Sequence, residues 1–159
     1  MVKKIVVLGL FGVGKTSLLK KYVDGIFSEE YQVTIGVHIL KKTVEIQGQS
    51  VKLILWDTEG TENIDEIRKT YFTGAHGFIY VFDISRPKSY LNVTSDIDFL
   101  KSEYQGIPIV VAANKSDLLP AGTITEKKKE MPLVDVMVSA KEGSNVNRLF
   151  EKMAKMSVS

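Results

Sequence analysis

The sequence predicts an α/β fold, a six-stranded and mostly parallel sheet with one antiparallel edge strand and helices on both faces. Three observations lead to this prediction. Short apolar runs rich in β-branched residues recur along the chain, candidate helices alternate with them, and one pair of runs is joined by a few polar residues. Strands that alternate with helices form parallel sheets, whereas a short connection requires an antiparallel pair.

Each element follows from its local composition. The predicted buried strands, bounded by Gly, Asp or Asn, cover residues 5–8, 53–56, 78–82, 108–113 and 134–138. The candidate helices cover residues 15–23, 63–72, 89–104, 125–130 and 145–156. The antiparallel pair is a hairpin in which residues 37–46 and 51–56 flank the segment 47–50, Gln-Gly-Gln-Ser.

Composition excludes several classes of protein. The chain has 159 residues, 44% of them hydrophobic and 25% charged, which is typical of one soluble domain over residues 1–159 and excludes disorder. A net charge of +2 is too small to favour nucleic acid as a partner. There is no Cys, so thiolate metal sites and prenylation are excluded, and no lipid anchor is expected. No apolar stretch is long enough to span a membrane.

The segment 9–16, Gly-Leu-Phe-Gly-Val-Gly-Lys-Thr, fits the pattern G-x-x-x-x-G-K-[ST] between a predicted strand and a predicted helix. Its glycines let successive backbone N–H groups turn toward a phosphate chain. Lys15 adds a full positive charge, and the Thr16 hydroxyl is suited to bind Mg²⁺. The segment therefore predicts a phosphate-binding loop.

Two further segments select the base. Asn114-Lys115-Ser116-Asp117 and Ser139-Ala140-Lys141 each follow a predicted strand. A carboxylate such as that of Asp117 accepts hydrogen bonds from guanine N1–H and the 2-amino group. Adenine has an acceptor at N1 and would leave the carboxylate unpaired, at a cost of several kcal/mol in rough terms. Guanine is therefore the predicted base.

Five segments, GLFGVGKTS, YQVTIG, LWDTEGTE, NKSD and SAK, occur in this order. With them the chain resembles the Ras superfamily of small GTPases, in particular its Rab-like branch, over nearly its whole length. The resemblance implies the P-loop, small G-protein fold, GTP and GDP as ligands, Mg²⁺ as cofactor and GTP hydrolysis. It also implies a monomer acting in signal transduction and vesicle trafficking, with effectors, an exchange factor and a GTPase-activating protein. We expect it in the cytoplasm, or at a membrane periphery through a partner.

The resemblance also implies a role for each site residue. Thr34 and Thr16 would bind Mg²⁺, Asp57 would support the ion through water, and the Gly60 N–H would meet the γ-phosphate. Phe27 would lie edge-on to guanine, which Asn114 and Asp117 hold. Lys115 would pack along the base, and the Ala140 N–H would meet its carbonyl oxygen. The full set implied for nucleotide binding is Gly12, Val13, Gly14, Lys15, Thr16, Ser17, Phe27, Thr34, Gly60, Asn114, Lys115, Asp117, Ser139, Ala140 and Lys141. An effector patch would comprise Ile39, Trp56 and Tyr71, although Trp56 also fits a core position.

Departures from the family pattern concern hydrolysis, for which the implied catalytic set is Lys15, Thr34, Gly60 and Thr61. Position 61 carries Thr where relatives carry the Gln that orients the attacking water, the role for which Ras is the standard case. Phe11 replaces a small residue; its ring either crowds the γ-phosphate or turns outward. Glu59 replaces Ala and is either a solvated side chain or a substitute water acceptor. Slow intrinsic hydrolysis is predicted.

Two other functions stay open from the sequence. Phe11 and Thr61 favour a GTP-binding scaffold or adaptor that does not hydrolyse GTP and is controlled by exchange alone. A P-loop kinase or ATPase is disfavoured by the two base-binding segments. His38 and His76, the only histidines, lack the spacing of a catalytic triad and are expected to be structural or exposed.

Overall fold

The computed structural model describes residues 1–25, 27, 36–58, 64 and 67–159. Within these residues the sheet has six strands in the order β2-β3-β1-β4-β5-β6. β2 is antiparallel to β3, and every other neighbouring pair is parallel. The strands are β1 (Val2–Leu8), β2 (Val37–Ile46), β3 (Gln49–Thr58), β4 (Gly77–Asp83), β5 (Ile109–Asn114) and β6 (Val136–Met137). The predicted fold class is confirmed.

Helices cover both faces of the sheet, because strands buried on two sides need an apolar layer on each. The helices are α1 (Lys15–Asp24), α2 (Lys69–Phe72), α3 (Val93–Glu103), α4 (Ile124–Glu130) and α5 (Val146–Val158). α1 and α5 share one hydrophobic cluster with one face, where the rings of Tyr22 and Phe150 stack at 4.1 Å. Phe72 of α2 and Leu100 of α3 belong to the cluster on the other face.

The hairpin turn is tighter than predicted. β3 begins at Gln49, and Ile46 pairs directly with Gln49, so the connection is the two residues Gln47 and Gly48. Both have positive φ, 53° and 79°. Two-residue hairpins favour this backbone because its twist matches that of the flanking strands.

The predicted helix over residues 89–104 is wrong in its first turn. The structure has a 3₁₀ turn at Pro87–Tyr90 and then α3 at Val93–Glu103. The Ser89 hydroxyl donates to the carbonyl oxygens of Asp83 and Arg86, at 2.9 and 2.7 Å. A serine that bonds to nearby backbone in this way favours a turn over a continuous helix.

Two other elements are shorter than predicted. Among its described residues, the predicted helix over residues 63–72 is α-helical only at Lys69–Phe72; Ile64 is in a 3₁₀ conformation, and Arg68 has the extended ψ of 125°. β6 is Val136–Met137 rather than residues 134–138. The Asp135 carboxylate accepts a hydrogen bond from the Val111 N–H, so a side chain takes part in the bonding at the start of β6.

The carboxyl ends of β1, β3, β4 and β5 lie at one edge of the sheet because these strands are parallel. In open α/β sheets ligands bind in the crevice beyond these ends. The segments singled out from the sequence follow the same strands: the phosphate-binding loop follows β1, Asp57 is the penultimate residue of β3, and Asn114 ends β5. Within the described part of the chain, none of the helices has the length and apolar character needed to cross a bilayer.

Candidate nucleotide-binding site

The phosphate-binding loop, residues 9–16, depends on glycine at defined positions. Gly12 and Gly14 have φ of 79° and 93°, values that favour glycine. A Cβ on Gly14 would lie 2.6 Å from Asn114 Nδ2, and a Cβ on Gly9 would collide with the Val81 carbonyl oxygen. Gly14 is also the residue that precedes α1. The loop therefore runs close to β4 and β5 and ends at a helix N-terminus, which favours an anion.

Lys15 is the buried cation of this loop. Its Nζ donates to the carbonyl oxygens of Gly9 and Leu10, at 2.9 and 3.3 Å, and the residue is only 6% exposed. Burial lowers the pKa of Lys15 to about 8, and the charge of Asp57 acts in the opposite direction. A buried ammonium needs an anionic partner, and a phosphate chain over the loop supplies one.

Thr16 and Asp57 form the hard-oxygen pair of the site. The Thr16 hydroxyl donates to Asp57 Oδ2 at 2.6 Å, and Asp57 is fully buried. Register places Asp57 beside Val7, two residues before the phosphate-binding loop. Hydroxyl and carboxylate oxygens are the donors that Mg²⁺ prefers, so this pair fits that ion. Asp57 was predicted to support the ion through water, and Thr34, predicted to bind it directly with Thr16, lies outside the described residues.

The base-binding segments meet through Ser139 and Asp117. The hydroxyl of Ser139, which is fully buried, donates to Asp117 Oδ1 at 2.8 Å and accepts from the Glu142 N–H at 3.0 Å. One oxygen of Asp117 is therefore fixed by Ser139. This contact orients the carboxylate that was predicted to read guanine.

The Asn114 side chain, predicted to hold the base, forms hydrogen bonds to two loops of the protein. Its Nδ2 donates to the Val13 carbonyl oxygen at 3.0 Å, and its Oδ1 accepts from the Ala140 N–H at 3.2 Å. The Ala140 N–H, expected to meet the guanine carbonyl, thus has Asn114 as its partner here. Asn114 is 1% exposed and joins the phosphate-binding loop to the segment after β6.

Proteins of known family resemble this sequence over nearly its whole length. The family model described as "Ras family" matches residues 4–158. The chain belongs to the Ras family. The Ras-related protein RabC of Dictyostelium discoideum is 35% identical, with 93% of this chain and 80% of the relative covered. The Ras-related protein Rab-7b of Mus musculus is 38% identical, with 95% and 80% covered. The resemblance of the chain to Rab-like small GTPases is confirmed.

As a Rab-like member of the Ras family, the protein is a GTP-binding small GTPase, of the class that acts in signal transduction and vesicle trafficking. Members of the family bind GTP or GDP, typically with Mg²⁺. They generally interact with effectors, exchange factors and activating proteins. The contacts described above lie at the sheet edge where a Ras-family fold would hold its nucleotide.

Asp83, which ends β4, is a site residue of this Ras-family protein that sequence reasoning missed. Lys115 Nζ lies 3.0 Å from its Oδ2 and 3.2 Å from the Gly12 carbonyl oxygen. Asp83 Oδ1 accepts from the N–H and hydroxyl of Ser85. The side chain of Asp83 is 1% exposed. The available signal was an acidic residue directly after a fully apolar strand, at the same edge as the other site residues.

The remaining predicted site residues make no contact described above with the phosphate-binding loop or the base-binding segments, or lie outside the described residues. Phe27 is half-buried and packs against the cluster of α1 and α5. Ser17 lies in the first turn of α1, and Lys141 is exposed beside Ala140. Phe11 is 46% exposed, and its carbonyl oxygen accepts from Arg86 Nη1 at 3.3 Å. Gly60, Thr61 and Glu59 lie outside the described residues.

The three residues of the predicted effector patch lie together. Ile39 pairs with Trp56 across β2 and β3, and the Trp56 and Tyr71 rings are 6.1 Å apart. Ile39 is 49% exposed, whereas Trp56 is only partly exposed and also contacts the core. The patch and the core position suggested for Trp56 are therefore compatible.

The two histidines lie at different places in the fold: His38 is opposite Asp57 in the β2–β3 register, and His76 directly precedes β4. The histidines were expected to be structural or exposed, and His38 is exposed. His76 is structural, since its ring Nδ1 accepts from the Lys4 backbone N–H at 2.9 Å and the His76 backbone N–H donates to the Lys4 carbonyl oxygen at 2.7 Å. Burial and the charges of Lys3 and Lys4 lower the pKa of His76.

Proposed function

We propose that the protein is a monomeric, Mg²⁺-dependent guanine-nucleotide switch that hydrolyses GTP slowly when no partner is present. The observation that supports it best is the meeting, at one sheet edge, of a buried lysine, the Thr16–Asp57 pair and the Asp117 carboxylate. An Asp117 carboxylate held by Ser139 supports guanine rather than adenine as the base, which disfavours an ATP-dependent kinase or ATPase. The switch would work in the cytoplasm, or at a membrane periphery through a partner.

Each group has one task in the proposed mechanism. The phosphate-binding loop and Lys15 bind the phosphates through backbone N–H groups and the ammonium charge, which stabilises charge that develops on the transferred phosphoryl group. Thr16 and Asp57 would hold Mg²⁺, whose charge neutralises the phosphate oxygens. Asp117 selects guanine, with Ser139 fixing one of its oxygens. Thr34 and Gly60 would respond to the γ-phosphate, so their loops would order with GTP and relax with GDP.

Slow hydrolysis follows from residue 61. A threonine hydroxyl lies two carbons closer to the backbone than a glutamine amide, so it does not reach the attacking water and the γ-phosphate together. Phe11 adds bulk next to the same region, and its exposed position makes it a group that a GTPase-activating protein must accommodate. Loss of one water-orienting contact costs about 1.4 kcal/mol or more, roughly tenfold in rate.

Single-turnover hydrolysis tests the proposal. Protein loaded with GTP and Mg²⁺ is followed by phosphate release over hours, beside Thr61→Gln and the control Thr94→Gln on the exposed surface of α3. We expect slow release by the wild type, release about tenfold faster with Thr61→Gln, and no change with the control. Equal rates in wild type and Thr61→Gln would contradict the role assigned to position 61.

A second candidate function rests on the same two departures, Phe11 and Thr61. A protein that keeps GTP bound without releasing phosphate would be a scaffold or adaptor controlled by exchange alone. In the experiment above it would retain GTP while the wild-type phosphate signal stays at background. Competition between ATP and GTP for the nucleotide-free protein tests the base, and we expect ATP to compete at least about a thousandfold more weakly.

A further inference from the structure

One face of the β1–β2–β3 part of the sheet carries lysines around the effector patch. Alternation along the strands places Lys4 of β1, Lys41 of β2 and Lys52 and Ile54 of β3 on the same face as Trp56, because Leu53 and Leu55 point into the opposite cluster. Lys41 and Lys52 are exposed, and Ile54 is half-buried.

Register fixes the arrangement of these side chains. Ile54 pairs with Lys41 on one side and with Lys4 on the other, so a single cross-strand row reads lysine, isoleucine, lysine. The next row holds Ile39 and Trp56, and the row on the other side holds Lys52 opposite Thr43. Lys4 and Lys41 are two strand spacings apart, about 10 Å at their Cα atoms. An apolar centre is thus flanked by a cation on each side.

Lys4 is held in place at this surface. Its Nζ donates to the Thr73 carbonyl oxygen at 2.8 Å and lies 3.8 Å from the centroid of the Trp56 ring. A cation fixed over an aromatic ring presents its charge at a defined position. Among the described residues of β1, β2 and β3, the only carboxylate that alternation places on this face is Glu45, at the far end beside the hairpin turn.

We infer that this lysine face binds an acidic amphipathic helix of a partner protein. The inference rests on the proposed function, since it specifies the partner of the effector patch. A helix is about 10 Å wide, so apolar side chains along its centre would contact Ile39, Ile54 and Trp56 while carboxylates on its two flanks reach Lys4 and Lys41. Charge complementarity of this kind sets specificity and association rate.

The surface also adjoins the two segments through which a bound nucleotide would act. β2 begins at Val37, three residues after Thr34, and β3 ends at Thr58, two residues before Gly60. A partner helix on β2 and β3 would therefore be sensitive to the nucleotide. A protein helix fits better than a lipid surface because Lys4 is tied to Thr73 and Trp56 instead of extending freely.

A charge-swap selection tests the inference. A display library of helical peptides with random flanking positions is selected against the full chain loaded with Mg²⁺ and a non-hydrolysable GTP analogue, and in parallel against Lys41→Glu/Lys52→Glu. The control is Lys101→Glu/Lys152→Glu, the same charge change at exposed positions of α3 and α5. One enriched peptide from each selection is synthesised and titrated by fluorescence anisotropy.

We expect the wild type and the control to enrich Asp and Glu beside an apolar stripe. The Lys41→Glu/Lys52→Glu protein should bind the wild-type peptide at least about tenfold more weakly and enrich Lys and Arg instead. The inference is overturned if all proteins select the same peptides or if no peptide emerges whose binding depends on these lysines. It is also overturned if vesicles containing phosphatidylserine bind the wild type and do not bind the Lys41→Glu/Lys52→Glu protein. Equal peptide binding in the GDP and GTP-analogue states would contradict the proposed switch, but not this surface.

Discussion

Three buried polar side chains, those of Asn114, Ser139 and Asp83, join segments of the candidate site to one another. Each bonds to a segment distant in sequence. Such bonds stabilise modestly when made, by about 1 kcal/mol each, but leave a larger penalty when one partner is removed. At the scale of single residues, the site is therefore sensitive to side chains whose bonds to other protein segments hold its loops in place.

His76 gives a pH dependence of stability that belongs to one residue. Its Nδ1 must be unprotonated to accept from the Lys4 N–H, and the pKa of His76 is lowered. As pH falls below about 6.5, the unfolded chain takes up the proton before the folded one, so the free energy of unfolding decreases. Urea unfolding at about pH 7.5 and about pH 5.5, with saturating GDP and Mg²⁺, should show a smaller loss in His76→Gln than in wild type.

The exposed histidine supplies the control for this measurement. His38→Gln should retain the full wild-type loss of stability on acidification, because among the residues that the structure describes His38 makes no hydrogen bond to β1 like that of His76. An identical loss in wild type and His76→Gln would show that other groups carry the pH dependence.

At this scale the sequence predicts types of contact better than partners. The roles of Lys15, Thr16 and Asp57 follow from local pattern and resemblance, because a glycine-rich loop before a helix has few alternatives. The pairing of Asp83 with Lys115 could not be predicted the same way. The two residues are 32 positions apart, and only the adjacency of β4 and β5 brings them together.

At the scale of elements, the loop after β4 is organised by the carboxylate that ends the strand. Asp83 accepts from Ser85, its own N–H donates to Ser89 Oγ, and it pairs with Lys115 on the loop after β5. Lys115 itself has a φ of 65°, an uncommon value for a residue with a side chain. The ion pair therefore helps to hold a strained loop residue next to Gly12.

Replacing Asp83 should loosen the nucleotide without abolishing the fold. Asp83→Asn keeps the size and the oxygen that Ser85 requires but removes the charge paired with Lys115. We expect release of a fluorescent GDP analogue to be about tenfold faster, since Lys115 would no longer be held beside the phosphate-binding loop. Stopped-flow release measures this, with Asp98→Asn on the exposed side of α3 as control.

A double-mutant cycle separates positioning from a general loss of stability. If Asp83 acts through Lys115, adding Asp83→Asn to Lys115→Met should change the release rate little further. Independent, multiplying effects of the two substitutions would contradict this role for Asp83.

The bounds of an element were predicted well where the apolar pattern of the sequence determines them. They were predicted poorly where hydrogen bonds from side chains to the backbone determine them. β4 is buried at all seven positions, and its prediction differed by one residue at each end. Residues 89–92 were predicted as the first turn of a helix because apolar spacing does not show that Ser89 bonds to Asp83 and Arg86 within a 3₁₀ turn. The start of α2 was also mispredicted, because apolar spacing does not show that the backbone of Arg68 is extended.

Across the whole molecule, the sheet edge holds loops that are far apart in the chain. Val13 lies in the first loop, Asn114 ends the fifth strand and Ala140 follows the sixth. Two hydrogen bonds of one buried amide join all three. The fold class could be predicted from alternating strands and helices, but this junction depends on strand order, which local sequence does not determine.

Removing the junction should weaken both fold and nucleotide binding. Asn114→Ala leaves the Val13 carbonyl oxygen and the Ala140 N–H without this partner in a buried place. At about 1–3 kcal/mol for each group, we expect the free energy of unfolding to fall by at least about 2 kcal/mol. Urea unfolding without nucleotide measures this, and Asn147→Ala, at an exposed position of α5, should lie within about 0.5 kcal/mol of wild type.

The same variants measured with nucleotide distinguish the role of Asn114 in the site from its role in the fold. A ligand that binds only the folded chain stabilises it by about 2.7 kcal/mol at a hundred times its dissociation constant. With GDP and Mg²⁺ at that level for the wild type, we expect Asn114→Ala to gain only about half as much, because its phosphate-binding loop and base-binding segments are no longer joined. An equal gain in both proteins would mean that Asn114 stabilises the fold while the two loops keep their places without it.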